Sequence, residues 1–217
     1  MNTKKISIFN NKGGVAKTTS VINIAYSLHK ADKKVLVVDC DTQENCFDFF
    51  FLEKSEGIFP TRYENIMHTT YSAYKNFSDN ETENFDYILF DLPPILTDEV
   101  SEIINISDTA YVPMMLGRFE IKGLKNLTTK CGSKFGGVFI TMYKKRDADL
   151  LEQIKIILGD KLMHSVIPFS DTVRDSQKYG MPIEEYFEQK GVPKIGTAWN
   201  VVRAYTELTN EIIGGVE

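Results

Sequence analysis

Residues 10–19, Asn-Asn-Lys-Gly-Gly-Val-Ala-Lys-Thr-Thr, set two glycines ahead of a Lys-Thr pair, the composition of a loop that wraps phosphate. Gly13 and Gly14 have no Cβ, so their N–H groups can approach phosphate oxygens, and the dipole of a following helix favours the negative charge. In such a loop Lys17 reaches the β- and γ-phosphates and the Thr18 hydroxyl ligates Mg²⁺. Carboxylates close two apolar runs further on: Asp39 and Asp41 follow Val35-Leu36-Val37-Val38, and Asp91 follows Tyr87-Ile88-Leu89-Phe90. A buried parallel strand reads as such a run, and its carboxyl end is where a phosphate loop lies. Strand periodicity puts Asp39 and Asp41 on one face, and Asp91 is placed to hold the shell of the magnesium ion. These residues predict binding of a nucleoside triphosphate with Mg²⁺.

The elements needed to position them are also legible. Lys4–Phe9 reads as a strand and Ser20–Leu28 has helical spacing of apolar residues, so the loop sits at a strand-to-helix turn. Strand-like runs recur at 33–39, 85–91, 109–115, 135–142 and 162–167, alternating with helical stretches at 100–106, 121–131, 147–158 and 195–213. This alternation predicts an α/β fold, a doubly wound and mainly parallel sheet with helices on both faces, as a single domain over residues 1–217. The stretch from Glu44 to Asn84 is the least regular, and its Phe47, Phe49, Phe50 and Phe51 are read as core or dimer contacts.

The general phosphate-loop pattern G-x-x-x-x-G-K-[ST] is not met, since Asn11 and Ala16 stand at its glycine positions. Lys12-Gly13-Gly14-Val15-Ala16-Lys17-Thr18 fits the deviant Walker A pattern K-G-G-x-x-K-[ST], and the chain thereby resembles the ParA/MinD superfamily of P-loop ATPases. The resemblance implies that the loop from Asn11 through Thr19, Val15 and Ala16 included, holds ATP. It further implies that Lys12 reaches the nucleotide of a second subunit in an ATP-dependent sandwich dimer. Asp39-Cys40-Asp41-Thr42-Gln43 resembles the superfamily's D-x-D-P-Q segment, which makes Asp41 the residue that positions the attacking water and Asp39 its support. Phe85 through Pro94 resembles a Walker B strand, with Asp91 as the magnesium-side carboxylate. Glycine is usual at Ala16 and proline at Thr42.

In the second half, Gly137-Val138-Phe139-Ile140-Thr141-Met142-Tyr143 is similar to the segment before a switch-like loop of partition ATPases. Ile167-Pro168, Val173-Arg174-Asp175-Ser176 and Gly180-Met181-Pro182-Ile183 resemble their I-P…V-R-x-S…G-x-P-I stretch, with altered internal spacing. On that resemblance Met142 and Pro168 bind the nucleotide on its adenine side, and Arg174 contacts DNA without sequence preference. The expectation is a ParA-type partition ATPase of plasmid or chromosome. Its ATP dimer holds non-specific DNA on the nucleoid and releases it when a ParB-type centromere-binding partner stimulates hydrolysis. Two other readings stay open: a MinD-like or orphan ATPase that positions a protein cargo, and a nucleotide-gated scaffold with little hydrolysis.

Composition bounds these readings. A net charge of −5 gives no bulk attraction to DNA, so phosphate contacts must come from local patches. Lys122 and Lys125 on one helix face, together with Lys130, Lys134, the Lys144-Lys145-Arg146 loop, and Arg174 with Lys178, are the candidates. The start Met-Asn-Thr-Lys-Lys has no apolar signal region, and no uninterrupted apolar run reaches about 18 residues, so a cytoplasmic protein with no membrane span is expected. With the first strand starting at Lys4, no helix-turn-helix for operator binding is expected ahead of it. The C-terminal stripe Ala198, Val201, Val202, Tyr205, Leu208 and Ile212 carries Arg203 among Glu207, Glu211 and Glu217, which predicts a core-packing helix rather than one lying on anionic lipid. Cys40, Cys46 and Cys131 are too few and scattered for a disulfide scaffold or a conventional zinc site, and His29, His68 and His164 are isolated in the sequence.

Overall fold

The computed structural model describes residues 3–41, 45–50, 57–195 and 197–214, with the backbone alone at 45, 47, 48, 118, 119, 122 and 125–127. The strands are β1 Lys4–Ile8, β2 Val35–Asp39, β3 Phe59–Pro60, β4 Ile66–Thr70, β5 Tyr87–Asp91, β6 Thr109–Met114, β7 Phe135–Tyr143 and β8 Leu162–Pro168. Between and after them come α1 Lys17–Lys30, α2 Asn45–Phe50, α3 Tyr71–Tyr74, α4 Asp79–Thr82, α5 Asp98–Ile106, α6 Arg118–Cys131, α7 Ala148–Leu158, α8 Asp171–Lys178, α9 Ile183–Gln189 and α10 Asn200–Gly214. The strands form one sheet in the order β3-β4-β2-β5-β1-β6-β7-β8. Every pairing is parallel except that of β3 with β4.

The central strands VLVVD and YILFD are buried along their whole length, as a sheet covered on both faces requires. Alternate residues feed two cores. Ile6, Ile8, Val35, Val37 and Leu89 pack with α1, α9 and α10, whereas Leu36, Val38, Ile88, Phe90 and Val112 pack with α3, α5, α6 and α7. Each such aliphatic side chain contributes on the order of 1.5–3 kcal/mol. The apolar stripe of α10, including Val201, Tyr205, Leu208 and Ile212, lies in the first core, as its sequence predicts. No helix of the described residues is long and apolar enough to cross a membrane.

Register carries the sheet's geometry to the site. Asp39 pairs with Asp91 across β2 and β5, and Ile8 pairs with Asp91 across β1, so both carboxylates lie level with the start of the phosphate loop. The described residues of the stretch Glu44 to Asn84 hold more regular structure than its sequence reading allowed: they supply β3, β4 and three short helices. β4, Ile-Met-His-Thr-Thr, has too few aliphatic residues to stand out, yet it pairs with β2 from Val35↔Ile66 to Asp39↔Thr70. Phe49 and Phe50 are in the first core, while the side chain of Phe47 and the whole of Phe51 fall outside the described residues. At the far edge β8 bulges, since Val138 pairs with Leu162 and Ile140 with Val166. Glu211 of α10 caps that bulge by accepting from the His164 and Ser165 amides, both at 2.7 Å.

Candidate nucleotide-binding site

β1 ends in a loop held from both sides. Asn10, 3% exposed, donates from Nδ2 to the Pro113 carbonyl at 2.8 Å and accepts from the Lys12 amide through Oδ1 at 3.0 Å. Thr141 of β7 donates to the Val15 carbonyl at 3.2 Å, and Val15 is buried beneath the loop. Gly14 takes φ 73°, a left-handed conformation that glycine adopts without cost, and a Cβ on Gly13 or Gly14 would meet nothing within 4 Å. The cradle is therefore open where phosphate oxygens have to enter. Ala16 also has positive φ, 66°, which accounts for the glycine that the deviant pattern usually has there.

Lys17 is 8% exposed and folds back over the loop, donating to the Lys12 carbonyl at 3.2 Å. Burial lowers its pKa, and the Asp91 and Asp41 carboxylates oppose that shift. An anion in the cradle would replace the carbonyl as its partner. Thr18 donates its hydroxyl to Asp91 Oδ2 at 2.6 Å. Asp91 is 1% exposed, and its Oδ1 is buried without a hydrogen-bond partner. Burial raises this carboxyl to about 6, against the Thr18 and Cys46 hydrogen bonds and Lys17. A hydroxyl beside an orphaned buried carboxylate oxygen, at the foot of an open phosphate cradle, fits Mg²⁺ held by Thr18 directly and by Asp91 through water.

Asp39 accepts from the Asp41 amide at 3.1 Å and the Cys46 amide at 2.9 Å, and is 3% exposed. Burial, then the neighbouring Asp91, raises its pKa to about 7. It thereby ties the segment that carries Asp41 to the end of β2. Asp41 is partly exposed beside the loop, and Thr42 lies outside the described residues.

Lys12 behaves unlike Lys17. Its side chain is 56% exposed and its ammonium pairs with Glu120 of α6, away from its own cradle. That hydrogen bond holds the Glu120 carboxyl below its ordinary pKa. Asn11, Gly13 and Gly14 are likewise exposed at the mouth of the loop.

Beside the loop a cleft of about 180 Å³ is lined by Ala16, Thr19, Met142, Pro168, Phe169 and Arg174, among others. Met142 takes φ 53° as β7 exits, and Pro168 closes β8 in register with Tyr143. Both residues expected beside adenine are therefore in one pocket with the loop. Arg174 is exposed on α8 and faces this cleft. From the next turn of α8, Gln177 donates to the Thr19 hydroxyl at 2.7 Å. Lys144 lies 4.0 Å from the centre of the Phe169 ring. α6 carries Lys122 and Lys125, whose side chains lie outside the described residues.

The sequence reading did not find Asn10, Glu120 or Gln177. Asn10 adjoins the motif, but its partner is over a hundred residues away. Glu120 and Gln177 are ordinary helix-surface types, and only the fold brings them to Lys12 and Thr19.

The model of the CobQ/CobB/MinD/ParA nucleotide binding domain matches residues 6–183. The chain belongs to that family. As a ParA/MinD-type member it is an ATPase, with ATP and Mg²⁺ as cofactors. Among its relatives, the chromosome-partitioning ATPase Soj of Treponema pallidum is 26% identical, with 97% of each chain covered. The sporulation initiation inhibitor protein Soj of Bacillus subtilis is 27% identical over 84% of this chain and 91% of its own. The same ParA/MinD fold is seen in MinD of Pyrococcus horikoshii complexed with Mg-ADP, with TM-score 0.76, 20% identity and coverage of 97% and 96%. A plasmid partition protein of Borrelia burgdorferi bound to AMPPNP has TM-score 0.75, 18% identity and coverage of 98% and 99%.

Proposed function

We propose that the chain, as one ATPase domain, is a ParA-type partition ATPase that segregates plasmid or other DNA. The observation that carries this reading is the pair of loop lysines. Lys17 is buried over its own cradle, whereas Lys12 is exposed at the mouth and turned away from it. A lysine so placed is of use to a second subunit's nucleotide. ATP with Mg²⁺ fills the cradle, Lys12 leaves Glu120, and two chains close face to face with each Lys12 on the other's phosphates. Asp41 orients the water, Lys17 and the loop amides hold the β- and γ-phosphates, and Thr18 with Asp91 would hold Mg²⁺, which would supply charge neutralisation there.

The dimer carries two copies of every basic patch, so Arg174, Lys122 and Lys125 act on non-specific duplex DNA chiefly in the ATP state. Hydrolysis, stimulated by a ParB-type centromere-binding partner, returns the monomer and releases the DNA. The protein is cytoplasmic, and nucleoid-bound while ATP is held. The identity to chromosome-partitioning relatives across nearly the whole chain supports this assignment.

Retention on random-sequence duplex DNA with ATP, ADP or no nucleotide, at two salt concentrations, is the test. ATP-dependent, salt-sensitive retention that Lys12→Ala and Arg174→Ala both abolish is expected. Equal retention with ADP and ATP overturns the nucleotide gate, and no retention in any state points instead to positioning of a protein cargo.

A further inference from the structure

We propose that Asp39, Cys46 and His68 form a zinc site that clamps the two ends of the segment carrying Asp41. The three come from different elements: Asp39 closes β2, Cys46 lies in the first turn of α2, and His68 lies in β4 beside β2, in register with Val37. Residues two apart on a strand share a face, so His68 and Asp39 lie on the same side of the sheet. One ligand atom from each of the three falls within 4.8 Å of the other two. Exposure is 3% for Asp39 and 0% for Cys46 and His68, and three protein ligands would leave the fourth tetrahedral position to a water.

Donor chemistry selects the ion. A thiolate, an imidazole and a carboxylate suit Zn²⁺, whereas Mg²⁺ takes oxygen ligands, so the set is distinct in kind from the Thr18 site nearby. Bonds of about 2.0–2.3 Å in a tetrahedron place ligands roughly 3.3–3.8 Å apart, so the side chains need to draw in by about 1 Å. Outer contacts already orient them. The amides of Asp41 and Cys46 hold the Asp39 carboxylate, and the Phe50 ring stands edge-on to His68 with centroids 5.9 Å apart. On binding, the Cys46 thiol gives up the proton it directs at Asp91 Oδ2, 3.4 Å away, and that proton leaves to solvent. Thiolate and carboxylate then balance the dication's charge.

The consequence rests on the role of Asp41 proposed above. Asp41 lies between Asp39 and Cys46, in a segment where Thr42 replaces the proline that stiffens the D-x-D-P-Q loop. A metal bridging both ends supplies that stiffness by another route. The spacing of Cys46 and His68 along the chain hides the set from any sequence pattern, because β4 brings the histidine in from the sheet.

The test begins with full-length protein stripped by a chelator and titrated with Zn²⁺ or Co²⁺. One equivalent per chain is expected, with a thiolate-to-cobalt charge-transfer band in the near ultraviolet and a raised melting temperature without Mg²⁺ or nucleotide. Cys46→Ser and His68→Asn should each weaken Zn²⁺ binding at least about a hundredfold, more than loss of an outer partner does, and Cys46→Ser should abolish the band. Cys40→Ser and Cys131→Ser should keep both, and Mg-ADP binding by every variant reports that it is folded. Zn²⁺ affinity unchanged in both Cys46→Ser and His68→Asn, or no charge-transfer band in the wild type, overturns the site. Zinc bound as expected, with turnover the same in stripped and loaded wild type, overturns the clamp while leaving the site. Asp41→Ala with undiminished turnover overturns the role of Asp41 alone.

Discussion

Ala16 holds a left-handed backbone at the hinge between cradle and helix, φ 66°, where a Cβ costs on the order of 1 kcal/mol. Ala16→Gly removes that strain but adds about 0.5–1 kcal/mol of unfolded-chain entropy, so the two nearly cancel. Equilibrium unfolding should therefore show a change within about 1 kcal/mol, with ATP affinity kept. Ala16→Val should lose ATP affinity tenfold or more in a fluorescent-nucleotide titration, since a β-branched residue resists this φ. Asp39 makes a second prediction at this scale. Its carboxyl is raised to about 7 in the fold and ionises near 4 when unfolded, so the folded chain binds the extra proton between those values. Stability from that proton is complete below about 4 and is lost as pH rises through about 7. In metal-free protein, denaturant unfolding from pH 5 to pH 7 should show the wild type falling relative to Asp39→Asn by up to about 1.4 kcal/mol per pH unit, then levelling. A flat difference would mean that Asp39 is ionised in the fold. His68, whose pKa burial lowers to about 3, has the opposite trend below its ordinary value.

Among the elements, β8 depends on a contact that no strand propensity describes. Its bulge turns the amides of His164 and Ser165 away from the ladder, and the Glu211 carboxylate accepts from both at 2.7 Å. Glu211→Ala should cost about 1–3 kcal/mol in urea unfolding, and Glu211→Gln less, because a neutral amide oxygen accepts more weakly. It also guards an edge strand that would otherwise offer unpaired amides to another chain. Strands that are apolar throughout, such as Val35–Asp39 and Tyr87–Asp91, were legible because burial on both faces demands aliphatic runs. β4 was not, since His68, Thr69 and Thr70 look polar until neighbours cover them. The site divides in the same way. Lys17, Thr18 and Asp91 follow from local spacing, while Glu120 and Gln177 act through contacts spanning 108 and 158 residues.

For the whole molecule, the proposed function makes electrostatics the tie between DNA binding and dimer formation. At −5 per chain the protein repels DNA on average, so attraction must be local and is strengthened by joining two copies of each patch. Log affinity falls with log salt by about 0.9 for each phosphate neutralised, so an ATP dimer should show about twice the slope of a monomer. On the proposed function, the Lys12–Glu120 pair would set the balance between those states. Glu120→Gln weakens the hold on Lys12 without touching the cradle, and an exposed pair of this kind is worth at most about 1 kcal/mol. ATP-dependent dimers should then form at severalfold lower protein concentration in analytical ultracentrifugation, and the steep salt slope should appear at correspondingly lower concentration. Lys12→Ala should stay monomeric and keep the shallow slope at every concentration. An unchanged dimer midpoint in Glu120→Gln would make the ion pair a bystander. A steep slope in Lys12→Ala would separate DNA binding from the dimer and place all of the phosphate contacts on one chain.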